Sequence, residues 1–150
     1  EQFMHKLDLR PQDCLVVISN SGRNPLGIDI AELAQKKGVK TIVVTALEVS
    51  KAGTSRRADG KLLYEFGDVV LDNKSSFGDA CIEVEGLDTK VGGTSLYTGC
   101  MLLDCAIMES LDILLDRGVT PPVFMSANVD GGPEFNQKLL DKFADRLTEY

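Results

Sequence analysis

Two valine-rich apolar runs, CLVVIS (Cys14–Ser19) and KTIVVTAL (Lys40–Leu47), flank a segment with helical spacing. Short continuous apolar runs of this kind suit parallel strands covered on both faces. Between them Leu26, Ile30, Leu33 and Ala34 recur at helical intervals. Pro25 fits a first helical turn, where its missing N–H costs nothing. Lys36 and Lys37 sit in the last turn and Gly38 closes it, as the helix dipole and the glycine stop favour. Strand, helix and strand on tight links make a βαβ unit, whose strands lie parallel. The fold class expected is therefore α/β with a parallel sheet.

The rest of the chain extends this plan. LLYEFGDVVLDN, Leu62 to Asn73, predicts a short helix or turn and a third strand around Val69–Leu71. Ser75 to Gly93 reads mostly as loop, with CIEVEG extended in part. Thr94 or Ser95 is placed to cap a long helix reaching about Arg117, stopped by Gly118. Gly99 to Met108 is apolar on nearly every face, interrupted only by Asp104, which predicts burial in a core or at a subunit interface. VFMSA, Val123–Ala127, predicts a fourth short strand, and a final amphipathic helix follows with Pro133 and Glu134 in its first turn. A length of 150 residues suggests one domain. EQFMHKLDL, at the start, reads like the tail of a helix.

The turn between the first strand and helix, Ser-Asn-Ser-Gly-Arg-Asn over residues 19–24, is the candidate functional element. In open parallel sheets, ligands bind at the carboxyl ends of the strands. The helix after this turn brings its unpaired N–H groups and positive dipole end to the same place. Gly22 permits a tight turn and a close approach, and Ser19, Ser21 and Asn24 add short donors. Together these make a phosphate or carboxylate cradle that needs little positive charge. The alternative is that Ser21 or Asn24 merely caps the helix. A net charge of −7 argues against a nucleic-acid backbone as partner. No apolar run approaches the roughly 20 residues of a membrane span. Cys14, Cys81, Cys100 and Cys105 lie in or beside apolar runs without a Cys-x-x-Cys pair, so buried reduced thiols in a cytoplasmic protein are expected. With His5 as the single histidine, no metal site is expected.

SNSGRN resembles the Ser-x-Ser-Gly-x-Thr/Ser/Asn loop of the sugar isomerase (SIS) domain. TIVVTALEVSK and GDVVLDN resemble the next strands of that family, and GGTSLYTGCMLLDCAIMESL resembles the long helix of its sugar-phosphate isomerases. SNSGRN followed by SANVDGG is similar to a group of uncharacterised bacterial SIS-domain proteins, and the likeness runs through nearly the whole chain. It implies a parallel αβα sandwich that holds a phosphosugar. It also implies that residues 1–150 are the carboxyl-terminal two-thirds of a SIS domain, incomplete at the amino end. The implied binding residues are Ser19, Asn20, Ser21, Gly22, Arg23 and Asn24, with Thr45, Thr94 and Ser95.

Isomerising a sugar phosphate needs a base that moves a proton between adjacent carbons. Glu48, Glu83 and Glu85 are the candidates, since a glutamate in a partly apolar pocket is raised toward neutrality. Lys61 and Lys90 are candidates for meeting phosphate. Two departures from the family pattern stand out. Some isomerase relatives hold Glu directly after Ser-x-Ser-Gly, where this chain has Arg23, a fixed cation. Phosphoheptose isomerases use a histidine in their carboxyl-terminal part, where this chain has none. The expected function is phosphosugar binding, with aldose–ketose isomerisation or a non-catalytic sensor role as alternatives. No cofactor is expected. The expected assembly is a homodimer or larger homo-oligomer, because the apolar helix calls for cover.

Overall fold

β1 (Cys14–Ile18) pairs with β2 (Lys40–Thr45), and β2 pairs with β3 (Val69–Asp72), in a computed structural model that describes residues 8–147. Both pairings are parallel, with Ile18 opposite Val44 and Thr45 opposite Asp72. α1 (Pro25–Lys36) links β1 to β2. α2 (Leu47–Ala52) and a 3₁₀ turn at Leu63–Phe66 link β2 to β3. This is the α/β parallel arrangement expected. α2 was not foreseen, because its six residues are too few to show a period. The expected helix tail at the start, with His5, falls mainly on residues 1–7, outside the described residues.

β2 is the central strand, and Thr41, Val43, Val44 and Thr45 are fully buried. Residues alternate across a strand, so Val43 faces one side and Val44 the other. On the first side, Val43 and Val17 pack with Ile28 and Ala31 of α1 and with Leu63 and Phe66. Each fully buried aliphatic side chain here contributes on the order of 2 kcal/mol. On the second side, Val44 approaches Gly99 of α3 (Ser95–Asp116), where a Cβ would stand 3.9 Å from the valine methyl.

Two expectations are corrected here. β1 is not covered on both faces: Val16 is 41% and Ile18 59% exposed. Their register opposite Ile42 and Val44 puts them on the side away from Val43, and α1 shields only the other side of this edge strand. The buried stripe of α1 is Ile28, Ala31 and Ala34, while Leu26 is exposed. Alanines hold the contact line because small side chains let the helix lie close to the sheet. The loop after α2 is fastened to α1 by Arg57, which pairs with Glu32 and Asp59 at 2.9 Å each and stacks over Phe66.

The chain divides into two compact units. The first, Leu9–Cys105, contains the sheet and the start of α3. It also contains an antiparallel hairpin of β4 (Ala80–Ile82) and β5 (Val91–Gly93), which meets in part the expectation of extended chain at CIEVEG. The second unit holds the residues from Ala106 onward, with Asp8. There α4 (Gly132–Lys142) forms as predicted, but Val123–Ala127 is not a strand. The side chain of Asn136 takes its place as a partner: Oδ1 accepts from Met125 N–H at 2.9 Å and Nδ2 donates to Met125 C=O at 2.8 Å. SANVDGG is a tight turn into α4. Gly131 takes φ 80°, and a Cβ on Gly132 would strike the Ser126 carbonyl.

Within the single chain α3 is not buried in a core, the first of the two covers expected for it. Gly99 is its only buried residue among those described, and Leu96, Tyr97, Met101, Ile107 and Met108 are each more than half exposed. The four cysteines are free and exposed, not buried. Cys14 opens an edge strand, Cys81 lies in the two-stranded hairpin, and Cys100 and Cys105 ride on uncovered parts of α3.

Candidate functional site

The turn 19–24 leaves β1 at the carboxyl end of the sheet, and the protein grips it by its carbonyls. Ser19 C=O accepts from Gly22 N–H at 3.1 Å, and Asn20 C=O from Ala46 N–H at 3.0 Å. Gly22 C=O accepts from Leu63 N–H at 2.8 Å, and Arg23 C=O from Arg56 N–H at 2.9 Å. The N–H groups of Asn20, Ser21, Arg23 and Asn24 find no protein acceptor among the described residues. The hydroxyls of Ser19 and Ser21 are likewise unengaged there. With four of its carbonyls held by N–H groups of the chain, the turn offers mainly donors.

Asn24 stands at the cap position of α1 without a side-chain hydrogen bond to the helix. Its Oδ1 instead accepts from Arg56 Nη1 at 2.9 Å. The plain capping role open to Ser21 or Asn24 is thus not the one they fill. Arg23 Nε is buried with no hydrogen-bond partner. A buried donor without an acceptor is costly.

Gly22 takes φ 58°, a conformation that favours glycine. The tight turn is as expected, and the close approach is made by the protein's own side chains. A Cβ there would meet Ser50 Oγ at 2.7 Å and Thr45 Oγ1 at 3.3 Å, so the space beside it holds the protein's own side chains. Thr45 is fully buried and its hydroxyl donates to Asn20 C=O at 3.0 Å. That bond anchors the turn and leaves Thr45 no surface for a ligand. The side chain of Asn20 is also spent: Oδ1 accepts from Asn73 Nδ2 at 3.1 Å, and Nδ2 donates to Ser75 Oγ at 3.3 Å.

Asn73 and Ser75 begin a polar chain that ends at the start of α3. Ser75 Oγ lies 2.9 Å from Asp79 Oδ1 and 2.7 Å from Thr94 Oγ1. Asp79 Oδ1 accepts from Thr94 N–H at 2.9 Å and from Ser95 N–H at 2.7 Å, and Oδ2 accepts from Ser95 Oγ at 2.9 Å. These donors, the Ser95 amide foremost and the Ser75 hydroxyl next, bring the Asp79 carboxyl down to about 2. It is therefore ionised at neutral pH. Thr94 and Ser95 do not cap α3 alone; they hold the carboxylate that does.

Between the end of β1 and α3, within the first unit, lies a cavity of about 210 Å³. Ser19, Asn20, Asn73 and Ser95 form its polar side, and Ile18, Leu96, Cys100 and Leu103 its apolar side. Ser19, Asn20 and Ser95 are thus brought together as predicted candidates. Ser21, Arg23 and Asn24 flank the start of α1 and do not line the cavity.

The glutamates are placed elsewhere. Glu48 is exposed in the first turn of α2. Glu83 and Glu85 are exposed in the hairpin loop, where Glu83 pairs with Lys90 at 3.0 Å. None of the three lines the cavity beside the turn; Glu83 and Glu85 line a separate concavity of about 460 Å³ in the hairpin loop. Lys61 lies over the Phe66 ring instead of facing the turn. Among the described residues, no cluster of histidine, cysteine and carboxylates is suited to a metal.

Asn73, Ser75 and Asp79 were missed from sequence. The first two carried a usable signal, since they follow β3 at the sheet end where the turn 19–24 lies. Asp79 carried none, because it stands 16 residues before the helix start that it caps.

By fold, the first unit is a parallel α/β unit with a donor-rich turn at the carboxyl ends of its strands. Comparison with known proteins gives its relatives. The SIS domain model matches residues 1–46, which span β1, the turn, α1 and β2. A UPF0309 protein of Listeria monocytogenes is 53% identical over 143 residues, covering 95% of this chain and 61% of that protein. A UPF0309 protein of a Geobacillus species is 40% identical over 146 residues, covering 97% and 59%. A solved structure titled "Crystal structure of an hypothetical protein" is similar at a TM-score of 0.47 and 24% identity, covering 75% of this chain and 52% of that one. Residues 1–46 thus match the SIS domain, and over nearly its whole length the chain is similar to UPF0309 proteins. It spans about three-fifths of the length of the curated relatives it matches.

Proposed function

We propose that this chain binds a phosphorylated sugar, with the phosphoryl group on the turn 19–24 and the sugar in the neighbouring cavity. The observation that carries the reading is the set of unpartnered donors. Four N–H groups and two serine hydroxyls of the turn have no protein acceptor among the described residues, and they precede the uncapped start of α1, where an anion gains from backbone dipoles. Ser19, Ser21 and Arg23 are the side chains assigned to the phosphoryl group. Asn20, Gly22 and Thr45 set the shape of the turn. The SIS-domain match over residues 1–46, which contains the turn, supports the same ligand class.

The test is calorimetric titration with hexose and amino-sugar phosphates. Ser21→Ala is expected to weaken binding about tenfold, the equivalent of one charge-assisted hydrogen bond, with an unchanged melting temperature. Unchanged affinity in that variant removes the turn from the site.

Binding without isomerisation is the reading favoured for this chain. No candidate glutamate lines the cavity, and Arg23 stands where some isomerases have Glu. Incubation of the bound sugar in deuterated water decides the matter. Deuterium entering the carbon next to the carbonyl marks an isomerase, and none marks a sensor. A cytoplasmic location belongs to the same proposal, since phosphorylated sugars are charged metabolites that do not cross membranes unaided. No helix among the described residues is long and apolar enough to cross a membrane.

A further inference from the structure

Two of the helix starts at this end of the sheet, those of α1 and α3, differ in one respect. The start of α1 is open, whereas the start of α3 is already occupied by the Asp79 carboxylate. The cavity between β1 and α3 carries no lysine, arginine or histidine on its lining. Its Ser95 wall is backed by the same carboxylate, one hydrogen bond behind the surface at 2.9 Å. Asn20, on the same polar side, is tied to that carboxylate through Ser75.

From this we infer that the site selects a ligand with its negative charge at one end only: a phosphomonoester whose far end is uncharged or cationic, with Asp79 as the residue that excludes a second anion. The inference rests on the phosphosugar reading above and narrows its substrate class. A sugar seated with its phosphoryl group at α1 extends its other end toward the Ser95 wall. A second phosphate or a carboxylate there meets a fixed negative charge and no cation to offset it. It also finds the Thr94 and Ser95 amides at the start of α3 already donating to Asp79. Like charges brought together at a site with few counter-charges are strongly discriminated against.

The experiment compares two ligands of the same length that differ in far-end charge, sorbitol-6-phosphate and 6-phosphogluconate, by calorimetric titration of the chain. Sorbitol-6-phosphate is expected to bind at least tenfold more tightly. Asp79→Asn keeps an oxygen for the Ser95 amide while removing the charge, and is expected to close most of that gap. Raising the salt concentration is expected to narrow the gap in the unaltered chain, which provides a check independent of how the variant folds. Equal affinities for the two ligands overturn the inference and leave the phosphosugar reading standing. A gap that persists in full in Asp79→Asn and at high salt also overturns it, since shape would then be the cause. Binding of neither ligand overturns both readings together.

Discussion

Gly22 shows how a residue can be read correctly for need and wrongly for cause. The sequence calls for a glycine in a turn before a helix, and a positive φ is found there. The reason lies inside the protein, where Ser50 and Thr45 fill the space that a side chain would take. Gly22→Ala is expected to cost about 1–2 kcal/mol, the penalty of a left-handed conformation for an L-residue, and urea denaturation measures it directly. A loss near zero would mean that the turn relaxes around the methyl group. Thr45 and Asn20 teach the same lesson. Polar residues at a strand end look like ligand contacts from sequence, yet both bind the backbone or neighbouring side chains of their own chain. Nothing in a single sequence separates a hydroxyl that faces a ligand from one that holds a loop.

At the scale of elements, the strongly periodic or apolar segments were legible and the weakly patterned ones were not. β1, β2, β3, α1, α3 and α4 follow the runs and stripes that predict them. The exact stripe of α1 was not legible, because alanine at a contact line scores weakly as apolar although it allows the closest approach. Val123–Ala127 failed for a different reason. Its apolar residues suit a strand, but a strand needs a partner ladder, and the Asn136 amide satisfies Met125 from both sides instead. Asn136→Ala is expected to speed hydrogen exchange at the Met125 amide at least tenfold. It is expected to destabilise the second unit by about 1 kcal/mol, the net worth of an exposed pair of such bonds. Unchanged protection at that amide would show that another element holds the segment.

For the whole molecule, the sequence foresaw the apolar helix segment Gly99–Met108 but not how much of it one chain leaves exposed. The exposed face of α3, with Tyr97 at 75% and Met101 at 64% exposure, is the surface that the expected homo-oligomer would cover. We propose a second copy of the chain as its cover. Light scattering is expected to report at least twice the 16.3 kDa chain mass. Cys105, on α3, is then expected to react with a thiol reagent more slowly than Cys14 on the edge of the sheet. A monomer with Cys14 and Cys105 reacting alike would overturn this. The candidate site was only half visible in sequence. The turn 19–24 announced itself by local chemistry, whereas the carboxylate that closes the other helix start comes from a distant hairpin.

The hold on the turn's carbonyls has a kinetic consequence. A loop fixed before its guest arrives spends no time folding around it, so encounter is governed by diffusion and by the repulsive field of an acidic molecule. Related guests would then arrive at similar rates, and preference among them would be written in how long each one stays.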